Sequence, residues 1–195
     1  MSLRLLAPCE YEETIRRSRF IAQAAPISSE ADTLAFHETV ADLAATHNCW
    51  AWRLDGRHRH NDDGEPGGTA GRPILAVLEG RDLDGVMVVV TRYYGGIKLG
   101  AGGLVRAYGG TAAKCLDRGQ TEPRIQMLRC ELTADFALSG LVHQLLERHD
   151  GQKQDEQFGA RGLTFTVMVP KTAVEALRRD LESASRGQAK LWVSR

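Results

Sequence analysis

Val86-Met87-Val88-Val89-Val90-Thr91-Arg92-Tyr93-Tyr94-Gly95-Gly96-Ile97-Lys98-Leu99-Gly100-Ala101-Gly102-Gly103-Leu104-Val105-Arg106-Ala107-Tyr108-Gly109-Gly110 reads as a buried strand, a glycine-rich turn and the start of a helix. The unbroken apolar run at 86–90 has no alternation, as expected of a strand covered on both faces. Seven glycines follow between Gly95 and Gly110, interleaved with cations and tyrosines. Glycine costs backbone entropy inside regular elements, so this density marks places where another backbone or a ligand comes close. Beyond the turn, Leu104, Tyr108, Ala112 and Cys115 share one side of a helix over about 102–117.

Working outward, the preceding chain offers candidate strands around Glu12-Glu13 and Phe20-Ile21. Ser29 can cap a helix with Asp32 in its first turn, and Phe36, Val40, Leu43 and Ala44 form its apolar stripe. Residues 48–54 read as a strand with Trp50 and Trp52 on one face and His47, Cys49, Ala51 and Arg53 on the other. The polar segment 55–72 lacks periodicity and is expected to be a long loop. Pro73 can open a short helix to Leu78, because its missing N–H is not needed there.

Arg118-Gly119-Gln120-Thr121-Glu122-Pro123 has the composition of a linker, giving domains 1–120 and 121–195. After it, strand 128–134, a helix with Leu138, Leu141, Val142, Leu145 and Leu146, and a polar strand over 152–158 follow in turn. A turn at Gly159–Gly162, a strand around 163–169, a helix over about 171–184 and a last strand over 188–193 complete the order. β-α-β-β-α-β is the ferredoxin-like split βαβ pattern. The whole chain is expected to be α+β.

Basic and acidic residues balance at 25 each, so recognition of a polyanion must rest on a local patch rather than on net charge. Cys9, Cys49, Cys115 and Cys130 form no C-x-x-C pair and read as free thiols of a reducing compartment. Leu5-Leu6-Ala7 is too short for an export signal and no stretch approaches membrane-spanning length, so a cytoplasmic protein without membrane contact is expected.

Several chemistries drop out. There is no Gly-Lys dipeptide and hence no Walker A loop. Gly100-x-Gly102-x-x-Val105 lacks the third glycine of a dinucleotide fingerprint, His37-Glu38 lacks the second histidine of a zincin, and no P-C-x-x-C of a zinc deaminase occurs. No cofactor is expected.

What survives is the glycine-rich turn, where backbone N–H groups beside a helix N-terminus make an anion site. Its expected anion- or nucleic-acid-binding residues are Arg92, Tyr93, Tyr94, Gly95, Gly96, Lys98, Gly100, Gly102, Gly103, Arg106 and Tyr108. The alternative is that the glycines only let helix and sheet touch. The acidic run Asp62-Asp63-Gly64-Glu65-Pro66 is the second candidate. Asp62, Asp63 and Glu65 can act as general base or cation ligands, pair with Arg92, Lys98 and Arg106 across a groove, or sit in a solvated turn. His47 and Cys49 with His58 and His60 form a weaker zinc candidate; a satisfied histidine and a buried thiol explain them better, and no metal is assigned.

Together, His47-Asn48-Cys49, Asp62 to Pro66, Gly68-Thr69-Ala70-Gly71-Arg72-Pro73 and Thr91 to Tyr108 resemble the signature of the IMPACT family. The resemblance covers nearly the whole chain, with Asn61 where the family usually has serine. It implies that His47, Cys49, Gly64, Pro66, Thr69 and Gly71 serve the motif's structure. It also implies an N-terminal domain like the second domain of small-subunit ribosomal protein five, with a left-handed βαβ crossover. The C-terminal ferredoxin-like domain is expected to resemble the last domain of elongation factor G. Eukaryotic relatives regulate translation by competing for an activator of a stress-responsive kinase, a pathway bacteria lack.

The expected function is therefore a translation-linked binding module contacting RNA, the ribosome or a ribosome-associated protein, rather than an enzyme. The alternatives are an enzyme holding a phosphorylated or carboxylated small molecule at the turn, and a protein-interaction scaffold without ligand.

Overall fold

A computed structural model describes residues 2–159 and 162–194. The chain forms two compact units, the first ending at Arg124 and the second starting at Ile125. The first contains β1 (Leu3–Leu5), β2 (Cys9–Ile15), β3 (Ser18–Pro26), α1 (Glu30–Val40), β4 (His47–Leu54) and β5 (Arg57–Asn61). It continues through α2 (Gly71–Gly80), β6 (Val86–Tyr93), α3 (Ala101–Leu116) and β7 (Thr121–Pro123). β7 pairs with β1, so residues 121–124 belong to the first unit, although their composition had read as the start of the second.

The main sheet of this unit has the order β2-β3-β6-β4-β5, each neighbouring pair antiparallel. β6 is central and buried from Val86 to Arg92, which explains its unbroken apolar run. Period-two alternation sends Val86, Val88 and Val90 into one core, with Ile74 and Leu75 of α2 and Leu104 and Tyr108 of α3. Met87 and Val89 face the other way, with Trp52 and Leu54, and Phe36 of α1 packs there. The same alternation places Arg92 on the face covered by α2 and α3. Phe20 and His47 stand directly opposite it on the flanking strands.

Two expectations fail here. Residues 57–61 are a strand, not loop: Asp55 and Gly56, at φ 52° and 77°, turn the chain into an antiparallel hairpin with β4. An edge strand held by backbone bonds needs no apolar face, and every residue of β5 is exposed. Helix α1 stops at Val40, and Leu43 is fully exposed instead of extending the stripe. Asp42 redirects the chain: its amide and carbonyl are both held by the side chain of Asn48.

The second unit runs β8 (Met127–Ala134), a 3-10 turn, α4 (Ser139–Arg148), β9 (Gln152–Gly159), β10 (Gly162–Pro170), α5 (Val174–Ser185) and β11 (Lys190–Val193). Its sheet order is β11-β8-β10-β9, all antiparallel, which is the split βαβ arrangement read from the sequence. Cys130, Leu132, Phe165 and Val167 meet Val142 and Leu145 of α4 and Leu177 and Leu181 of α5 in its core. Of the turn expected at Gly159–Gly162, Ala160 and Arg161 lie outside the described residues. Among the described residues no helix is long and apolar enough to cross a membrane, and the four cysteines are free thiols.

Candidate functional site

A cleft of about 460 Å³ opens in the first unit at the edge of the core, where β4 begins, β6 ends and α3 begins. Its floor is an ion pair. Arg92, buried on the helix-covered face, donates from one terminal nitrogen to Glu65 Oε1 at 2.5 Å and from the other to Ser18 Oγ at 3.3 Å. Its guanidinium lies between the rings of Phe20 and Tyr94, 5.5 and 5.4 Å from their centroids. Glu65 Oε1 also accepts from the Tyr108 hydroxyl at 2.7 Å. The Glu65 side chain is only 4% exposed, lines the cleft, and has no hydrogen bond from a described residue on Oε2. Arg92 Nε is likewise buried without a partner, so the polar cluster is not saturated from within.

His47 borders the same cleft. Its Nδ1 donates to the Asp63 carbonyl at 2.7 Å; a carbonyl only accepts, so the neutral ring presents Nε2 as an acceptor. Nε2 stands 3.8 Å from Glu65 Oε1, beyond hydrogen-bonding distance. His47, which the motif reading treated as structural, is therefore held by one nitrogen and open at the other.

The acidic run separates its carboxylates. Asp62 accepts from the amides of Gly68, Ala70 and Gly71, capping the entry to α2. Burial works against its charge, but these amides outweigh that and hold its carboxyl below the usual value. Asp63 accepts from the Asn48 amide and its own amide is held by Asn61 Oδ1, an Asx turn. Only Glu65 reaches the cleft. Gly64, at φ 83°, lets the chain turn against the His47 ring. Pro66 lines the cleft and its carbonyl accepts from the Thr69 hydroxyl. A Cβ on Gly71 would stand 2.6 Å from the Asn61 carbonyl oxygen, so α2 can start there only with glycine. Cys49 donates to the Asp62 carbonyl, and burial pushes its thiol up to about 12, the behaviour of an inert group. Among the described residues no cluster of His, Cys, Asp and Glu has metal-holding form. His58 and His60 stay exposed on β5.

The glycine-rich turn divides its residues between packing and exposure. Gly95 is a close approach: a Cβ would lie 1.9 Å from the Arg17 carbonyl oxygen. The amides of Tyr94 and Gly95 are taken by Thr46 Oγ1 and Ser18 Oγ. Gly96 and Gly100 adopt φ 84° and 73°, with open space beside them. Helix α3 then begins at Gly100 with no capping side chain and no acidic residue in its first turn. Gly102 is exposed, and Gly103 packs on Leu99, where a Cβ would come within 3.0 Å. Lys98 is exposed on the cleft and makes no ion pair with a described residue. Arg106, also exposed and unpaired among them, lines a neighbouring cleft with Arg16. A Cβ on Gly102 would lie 3.6 Å from the Arg106 guanidinium, so that cation reaches back toward the positive end of α3.

Three expected contacts move elsewhere. Tyr93 points to the other face of β6 and donates its hydroxyl to Asp42. Tyr108 is fully buried, its phenol pushed above the ordinary range by burial, and serves Glu65 rather than a ligand. Arg92 is enclosed in the ion pair. Tyr94, 45% exposed over Arg92, keeps a free ring face. Sequence reasoning missed Ser18 and Thr46, whose hydroxyls hold the turn; both read as ordinary polar residues beside a strand. The parity of β6, which puts Arg92 with Val88 and Val90, was the signal that it needed a buried carboxylate.

Residues 16–116 match the Impact N-terminal domain and residues 132–188 a domain of unknown function, DUF1949. The IMPACT family member in the pol 5′ region of Thermus thermophilus is 42% identical over 92% of this chain and 98% of its own. The IMPACT family member YigZ of Escherichia coli is 35% identical over 95% and 94%. A solved structure described as the crystal structure of a hypothetical protein superposes with a TM-score of 0.75 at 33% identity, covering 100% of this chain and 97% of the other. With both domains matched in order and relatives aligned nearly end to end, the chain belongs to the IMPACT family.

Proposed function

We propose that the protein is a translation-linked binding module whose first unit holds the phosphate backbone of RNA at the start of α3. One observation carries the reading. The first turn of a 16-residue helix has neither cap nor carboxylate, while Lys98 and Arg106 stand beside it without ion-pair partners among the described residues. Each of these charges is uncompensated by the chain, and an anion relieves all of them at once. Kinship supplies the translation link: eukaryotic members of the family regulate translation, and the resemblance relates the first unit to the second domain of small-subunit ribosomal protein five. The β-α-β-β-α-β unit is by the same resemblance a counterpart of the last domain of elongation factor G. In this reading the protein works in the cytoplasm among ribosomes. The neutral net charge makes the contact local and selective rather than a general affinity for nucleic acid.

Sedimentation with ribosomes across a salt series tests it. The full chain is expected in the ribosomal pellet at low salt and released as salt rises, with Lys98→Ala and Arg106→Ala released earlier. A chain that stays in the supernatant at the lowest salt ends this reading.

A second reading is favoured by His47 Nε2 and Glu65 facing the cleft: an enzyme acting on a phosphorylated small molecule. Turnover of phosphate esters by the wild type and its loss in His47→Ala would favour it over binding alone.

A further inference from the structure

The cleft offers two chemistries a few residues apart. Its rim, Lys98 with the uncapped start of α3, attracts an anion. Its floor accepts hydrogen bonds: Glu65 Oε2 has no donor among the described residues, and His47 presents Nε2. A buried carboxylate would normally repel a phosphate, but Arg92 neutralises this one and Tyr108 fixes its other oxygen. The floor therefore has acceptor capacity without net negative charge. The exposed ring of Tyr94 lies at the same opening, backed by the Arg92 guanidinium.

We infer that this cleft reads a ribose hydroxyl: Glu65 Oε2 and His47 Nε2 share, in one bifurcated hydrogen bond, the single proton of the 2′-hydroxyl of a ribonucleotide whose phosphate sits on Lys98 and the α3 amides. Tyr94 offers a stacking face for the base. This deepens the RNA reading and rests on it. A phosphate-only site needs no buried acceptor, and a site for a simple cation would not carry Lys98 at its mouth. A hydroxyl beside a phosphate satisfies both halves, and it is the group that distinguishes RNA from DNA.

Fluorescence anisotropy of the full chain with labelled single-stranded decamers of one sequence, carrying ribose, 2′-deoxyribose or 2′-O-methylribose, tests the inference. The ribose decamer is expected to bind roughly tenfold more tightly than the other two, the scale of one hydrogen bond to a charged group. Glu65→Gln and His47→Ala bring the ribose decamer to the deoxyribose level; His47→Ala carries the test should Glu65→Gln lose its fold by circular dichroism. Lys98→Ala weakens all decamers alike. Competition by adenosine 5′-monophosphate but not its 2′-deoxy analogue supports the same hydroxyl contact and assigns it to a free nucleotide; decamer binding without such competition assigns it to an RNA chain. Equal affinity for ribose and deoxyribose decamers overturns the inference and leaves the anion site standing. Binding to none of the decamers removes both.

Discussion

The turns at 61–71 and 94–103 are both rich in glycine, the first carrying three carboxylates and the second Lys98 with Arg106 just beyond it, yet they treat their polar atoms in opposite ways. In the first, Asn61, Asp62 and Asp63 hold backbone amides, Thr69 holds a carbonyl, and Glu65 takes a buried arginine. In the second, two amides are taken by Ser18 and Thr46, and then the chain runs to α3 with exposed cations and no cap. Apart from Glu65 Oε2, the side-chain acceptors of the first turn find donors on their own chain. The second turn and the first turn of α3 contain no carboxylate to set against Lys98 and the helix amides. A run of charge therefore says little until one asks whether the chain supplies the opposite partner.

The sharpest way to break this comparison is at Glu65, the residue of the first turn that reaches the cleft of the second. Glu65→Ala strands the Arg92 guanidinium in the core, and breaking a buried pair in this way costs about 3–5 kcal/mol. Urea unfolding should show a large drop in midpoint. A loss under about 1 kcal/mol would mean that Arg92 reaches water and that the floor of the cleft is not built as described. Next in size is Gly95→Ala. Its Cβ would collide with the Arg17 backbone, which cannot swing aside as a side chain would, so about 3 kcal/mol is expected. Gly96→Ala, at the next residue and in open space, should cost only about 1 kcal/mol for its positive φ. Equal losses at the two positions would dissolve the distinction between a packing glycine and a conformational one.

Asp62→Ala removes the acceptor for the amides of Gly68, Ala70 and Gly71 and should cost about 2 kcal/mol near neutral pH, the upper range of a lost helix cap. The effect depends on pH in a defined direction. The folded protein holds this carboxyl below its ordinary value, so the contribution is complete above the unfolded carboxyl's titration and disappears as acid protonates the folded group. The stability gap between wild type and Asp62→Ala should be full above about pH 5 and narrow from about pH 4 downward. Thermal melts across that range measure it; a gap that widens in acid contradicts the assigned role.

How much of this was readable beforehand follows the same division. Apolar periodicity exposed β6, α3 and the β-α-β-β-α-β unit because each buries a continuous stripe or face. β5 was hidden because Arg57-His58-Arg59-His60-Asn61 buries nothing; only Asp55-Gly56, a two-residue turn, announced the hairpin. Tyr108 carried two conflicting signals, a place on the apolar stripe of α3 and a place in the cationic motif, and the stripe prevailed. The motif located the cleft but not its division of labour. Which carboxylate of the acidic run turns inward depends on Gly64 and on the pairing of β4 with β6, contacts distant in sequence.

The smallest expected effect on stability is also the one that bears most on function. Lys98→Ala and Arg106→Ala remove exposed cations without ion-pair partners among the described residues, so each should leave the melting temperature within the range of about 0.5 kcal/mol. If the second turn is only architecture, nothing else should change. If it is an anion site, both variants lose affinity for a single-stranded RNA and the salt slope of binding falls by about one for each phosphate contact removed. Stabilisation of the folded chain on removing either cation is a further expectation, because each sits at the positive end of α3, whose first turn holds no carboxylate to offset it. Such a gain, paired with lost binding, separates a helix start left uncapped for a ligand from one that is merely poorly capped. Either variant melting several degrees lower would show instead that these cations hold the turn itself.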